Sequence, residues 1–102
     1  MEQKDLETSM NLIIHAGNAK SSAMEAISLI KEGKAEECAL KMKEADQEIA
    51  EAHKAQTQLL TKEANGEVTP FSLLLVHSQD HLMTAITFLD LAREVVDIYK
   101  HL

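Results

Sequence analysis

The sequence predicts an all-α protein, an antiparallel three-helix bundle that runs up, down, up. Three observations predict it. Apolar residues make up 45% of the chain, yet it holds only three Gly, one Pro, two Phe and one Tyr, a helix-former composition without the turn signals of an all-β chain. Two punctuation marks divide it, "KEGK" at 31–34 and "ANGEVTP" at 64–70, and each contains a Gly of the kind that ends a helix. The three segments between them, each about 28 to 32 residues long, space their apolar residues helically and would span about 40 to 48 Å. Connections this short make neighbouring helices antiparallel. With 102 residues, the chain is read as a single domain, 1–102, with one modest core.

In the first segment Leu6, Met10, Ile13, Ile14, Gly17, Met24 and Ile27 recur at helical spacing and predict the core face, with Gly17 as a point of close approach to another helix. The second spaces Cys38, Met42, Ala45, Ile49, Ala52, Gln56 and Leu59 by alternating fours and threes, a narrow apolar seam on an otherwise charged outer helix. The third opens at Thr69-Pro70, an N-cap followed by Pro at the first helical position. Along it Leu75, Leu82, Ile86 and Leu89 fall on one side, while Leu73, His77, Asp80, His81, Thr84, Phe88, Leu91 and Val95 gather on the other. Two partner helices in one small chain cover only part of a helix that is apolar all round. The stripe Leu73, His77, Asp80, Thr84, Thr87, Leu91 is a heptad seam, and it predicts self-association.

A formal charge of −7 with no Lys/Arg cluster leaves no footprint for a phosphate backbone, so nucleic-acid binding is excluded. Cys38 is the single cysteine; no intramolecular disulfide framework is possible and a reducing compartment suits the chain. "MEQKDLETSM" has no apolar signal core, and the apolar run 73–89 is too short and too polar at its centre to span a bilayer. These features predict a cytoplasmic protein without direct membrane insertion. His15 and His53 read as half-buried helix residues, Cys38 as a small apolar residue, and Met10, Met24, Met42 and Met83 as core or interface filler.

The chemistry concentrates in the third helix, where His77 and His81 are one turn apart and Asp80 lies three residues from His77. All three side chains can converge on one patch. Three readings compete. H-x-x-D-H resembles the order of the inverted zinc proteases, but a catalytic zinc needs a third protein ligand. A neutral imidazole also accepts a phosphoryl group and passes it on where water is limited, needing only a neighbour that fixes the ring and donors such as Gln79 or a second His for the phosphoryl oxygens. His77, two turns inside its predicted helix, gains little from the dipole, so side chains must supply those donors. The third reading is a non-enzymatic helical oligomer whose His/Asp cluster sets register or binds metal.

"LLLVHSQDHLMTAITFLDLAREVVDIY" closely resembles the signature segment of the enzyme IIA proteins of the lactose/cellobiose (diacetylchitobiose) branch of the bacterial sugar phosphotransferase system. The likeness extends over most of the chain through "LIIHAGNAKSSAMEAI" and "AHKAQTQLL". The resemblance implies a phosphotransferase component in which His77 accepts a phosphoryl group from the phosphocarrier protein HPr. It donates that group to a cysteine of the cognate enzyme IIB during uptake of a β-linked disaccharide such as cellobiose, chitobiose or lactose. It implies phosphoryl contact or orientation for Gln79 and His81, a homotrimer with Asp80 near a metal ion at its centre, and indirect association with a membrane permease. Ser78 stands where the family carries a small residue and receives no function. Three symmetry-related carboxylates about 4 Å apart would repel by about 4 kcal/mol per pair at an effective dielectric near 20. Mg²⁺ or another divalent cation, one per trimer on the axis, would relieve that repulsion.

Overall fold

In the computed structural model, which describes residues 3–102, three helices follow one another: α1 (Gln3–Lys31), α2 (Ala35–Ala64) and α3 (Leu73–Lys100). They hold 29, 30 and 28 residues, as the punctuation predicts. Both expected glycines end helices. Gly33 (φ 78°) donates to the Ile30 carbonyl at 3.0 Å while Lys34 donates to Leu29 at 2.9 Å. Gly66 (φ 86°) repeats the arrangement, donating to Glu63 at 3.0 Å while Glu67 donates to Lys62, also at 3.0 Å. These pairs are Schellman closures, and the left-handed φ is what only Gly adopts without strain.

Cross-helix pairs run in opposed numbering, as antiparallel neighbours require: His15 with Glu48 and Glu25 with Lys41 between α1 and α2, Gln56 with Gln79 and Asp46 with Arg93 between α2 and α3. The molecule measures 51 × 22 × 19 Å. α1 packs along both other helices, whereas α2 and α3 touch each other little. The core runs along the bundle in three clusters, from Ala26, Ile30, Cys38 and Val96 at one end, through Ala23, Ala45, Leu89 and Ala92, to Leu12, Ala52 and Leu82 at the other. No helix among the described residues is long and apolar enough to cross a membrane.

The α2 seam and the Leu82/Leu89 side of α3 face the core as predicted, with Cys38 buried as a small apolar residue. α1 does not follow its prediction. Its buried stripe is Ser9, Leu12, Ala16, Ala19, Ala23, Ala26 and Ile30, while Leu6, Met10, Ile14 and Met24 are exposed and Ile13 and Ile27 half-buried. Alanines let helix axes approach closely, so the small side of α1 turns inward and its large residues stay outside. Gly17 is not a point of close approach within the chain, since a Cβ there would meet nothing within 4 Å. Met83 is also exposed, leaving Met42 as the methionine that packs against the core clusters. The exposed side of α1 joins the exposed seam of α3, which carries Leu73, Asp80, Thr84, Leu91 and Ile98. Lys20, Met24, Thr84 and Phe88 line the groove between the two helices.

Candidate functional site

Ser72 sets the start of the site's helix. Its backbone is extended, and its Oγ accepts the Leu75 amide hydrogen at 3.1 Å, so α3 begins at Leu73. The predicted start at Thr69-Pro70 is corrected: two hydroxyl residues stand three apart, and the second makes the capping bond, leaving Thr69 Oγ1 buried without a partner. His77 is consequently the fifth helical residue instead of lying two turns in, although the dipole's effect still fades within the first turn.

The structure brings His77 and His81 together. Their Nε2 atoms are 3.0 Å apart and the rings meet edge to face, with centroids 4.5 Å apart and planes at 89°. At this distance one ring holds the proton and the other accepts it, which two neutral imidazoles satisfy. His77 is exposed and His81 half-buried. Ser78, fully buried behind them, donates its hydroxyl to the Leu75 carbonyl at 2.6 Å and acts as a small core residue.

Asp80 does not join the pair. It is exposed, and its carboxylate has no side-chain partner among the described residues, while Thr84 Oγ1 donates to the backbone carbonyls of Asp80 at 2.8 Å and His81 at 3.2 Å. The expected three-way convergence is therefore two-way: the i, i+3 spacing would let Asp80 meet His77, but the two rings satisfy each other and the carboxylate stays in solvent. Gln79 is separated from each histidine by two residues, about 200° around the helix, and faces α2. There its Oε1 accepts from Gln56 Nε2 at 2.8 Å, and the same Gln56 nitrogen reaches Met83 Sδ at 3.8 Å. Gln56 entered the sequence reading only as a seam position. A polar residue where the seam calls for an apolar one was the signal that could have marked it. Gln56, Gln79, Leu60, Thr69, Phe71 and Val76 line a cleft of about 300 Å³ between α2 and the start of α3, on the flank of α3 turned away from the histidine pair.

The remaining histidines stand apart from this pair. His15 Nδ1 contacts Glu48 Oε2 at 2.6 Å across α1 and α2, half-buried as expected, whereas His53 is exposed, contrary to expectation, because it points away from the seam that buries Ala52. Among the described residues no three His, Cys, Asp or Glu side chains converge on a metal position, so H-x-x-D-H lacks the third ligand of a zinc site within one chain. Asp80 offers the seam a hard oxygen donor with no side-chain partner among the described residues.

A family model described as "PTS system, Lactose/Cellobiose specific IIA subunit" matches residues 7–100. The chain belongs to this family. The lichenan-specific phosphotransferase enzyme IIA component of Bacillus subtilis (strain 168) is 49% identical over 89 residues, 87% of this chain and 81% of that protein. Among solved structures, the PTS cellobiose-specific enzyme IIA from Bacillus anthracis superposes with a TM-score of 0.94 at 46% identity, covering 99% of this chain and 93% of that one. The IIA(chitobiose) of the Escherichia coli IIA(chitobiose)–HPr complex gives a TM-score of 0.83 at 33% identity, with coverage of 99% and 97%. As a lactose/cellobiose-type IIA subunit, the protein is a component of the sugar phosphotransferase system.

Proposed function

We propose that this IIA subunit carries a phosphoryl group on His77, taking it from HPr and passing it to a cysteine of the cognate enzyme IIB on the cytoplasmic side of a permease for a β-linked disaccharide such as cellobiose, chitobiose or lactose. The observation that carries this reading is the exposed His77 ring whose Nε2 is held at 3.0 Å by His81 within the family's motif. When His81 Nε2–H donates, His77 Nε2 keeps its lone pair and bears no hydrogen, as a nucleophile needs. As the His81 N–H turns aside, that freed lone pair attacks the phosphorus of the donor's phosphohistidine. A new N–P bond forms as the donor's N–P bond breaks, its electron pair returning to the donor's imidazole. In the second step a thiolate of enzyme IIB attacks the same phosphorus, the S–P bond forms, and the His77 N–P bond breaks. His81, released from His77 Nε2 on phosphorylation, stands where its N–H can donate to a phosphoryl oxygen. Val68 and Phe71, each more than 80% exposed just before α3, supply an apolar surface off the seam that two different partners can use in turn.

The same reading includes a homotrimer. The exposed residues of α1 and the seam of α3 form one continuous apolar face that a lone chain leaves uncovered. In a cyclic trimer the contact is heterologous, so the α1 flank of one α3, which carries His77 and Phe88, meets the α2 flank of the next, which carries Gln79. The phosphoryl contact assigned to Gln79 then falls on a sister chain's His77. Three Asp80 carboxylates on the axis would offer hard oxygen donors to one divalent cation, with Mg²⁺ the fitting chemistry; the ion's part is to neutralise the interface.

Incubation with phosphoenolpyruvate, enzyme I and HPr tests the phosphocarrier. A phosphate-sized mass gain is expected for the wild type, none for His77→Ala, and a retained attachment site for His81→Ala. An unchanged wild-type mass would instead favour the non-enzymatic oligomer.

A further inference from the structure

Gln56 is the one α2 side chain hydrogen-bonded to the residues around the histidine pair. Its amide nitrogen faces α3 with both hydrogens engaged, one on Gln79 Oε1 at 2.8 Å and one on Met83 Sδ at 3.8 Å. Reversing this amide alone would set its oxygen against Gln79 Oε1, and reversing both amides together would set it against the Met83 sulfur, which cannot donate, so Met83 fixes the direction of the pair. The consequence passes to Gln79. With Oε1 held against α2, its Nε2 is the end that points away, and no acceptor among the described residues takes either of its hydrogens.

We infer that Gln56 is a positioning residue for phosphoryl transfer, holding Gln79 with its N–H groups outward as donors to the phosphoryl group on a neighbouring copy's His77. The inference rests on the phosphocarrier reading above. It explains why a polar residue occupies a seam position between Ala52 and Leu59, where a leucine would pack at least as well. A leucine would leave the Gln79 amide free to turn, and in half of its orientations an oxygen lone pair would confront the phosphoryl oxygens.

A double-mutant cycle on the full chain tests this, reading the initial rate of phosphoryl transfer from phospho-HPr. Gln56→Glu is nearly isosteric, but its carboxylate accepts instead of donating, so it pulls Gln79 Nε2 inward and turns Oε1 outward. The rate should fall about tenfold, the effect of one oriented hydrogen bond lost and made repulsive. In a Gln79→Ala background the same substitution should change the rate by less than about twofold, because no amide remains to be turned. Gln56→Met, of similar length but without a donor, should lower the rate in the same background-dependent way, and it serves where the charge of Gln56→Glu perturbs folding. Side-chain amide ¹⁵N NMR should show the Gln79 signal moving in both Gln56 variants. Equal rate losses with and without Gln79 would overturn the positioning role while leaving the phosphocarrier intact. A wild-type protein that takes up no phosphate would overturn both.

Discussion

Ser9 and Cys38 show how the core treats single polar or ionisable atoms. Ser9 is fully buried and its Oγ has no partner, so its hydroxyl has lost water without gaining a bond. Ser9→Ala is expected to stabilise the fold by about 1 kcal/mol, read as a higher urea midpoint at unchanged slope. Burial pushes the Cys38 thiol pKa up, against a smaller opposing pull from Lys100. A raised folded-state pKa favours the neutral thiol, so this stability is complete below the ordinary thiol range and fades as pH rises through the folded value. Thermal midpoints measured from about pH 8 upward should fall more steeply for wild type than for Cys38→Ala. The histidine pair was legible in the sequence because i, i+4 spacing fixes neighbours on a helix surface. The isolation of Asp80 was not, since spacing says which groups can meet and the competition among partners decides which do.

At the scale of the element, the three helices and both glycine closures could be read directly, because periodicity and left-handed turn residues are local signals. The face of α1 could not. Its large residues and its alanines each repeat at helical spacing, and an alanine stripe becomes the core face only when other helices come close enough to use it. The start of α3 was obscured for a related reason, as Thr69 and Ser72 offer the same chemistry. Ser72→Ala should cost about 1 kcal/mol and fray the turn in front of His77. Amide hydrogen exchange at Leu75 would report it directly, and unchanged protection there would contradict the cap.

For the whole molecule, the proposed trimer makes Asp80 the decisive residue. Asp80→Leu should give a folded trimer at least as stable as the wild type, because it removes an entire cluster of like charge. Sedimentation analysis checks this, and dissociation into monomers would contradict it. Chelation by EDTA should loosen the wild-type trimer and leave the Asp80→Leu trimer indifferent.

The unequal packing of the three helices also bears on how the chain is made. Since α1 rests against both others while α2 and α3 touch each other little, the α1/α2 hairpin can close while the rest of the polypeptide is still inside the ribosome. The helix bearing His77 is then the last of the three to dock, and the nascent chain holds no assembled site until that helix has emerged.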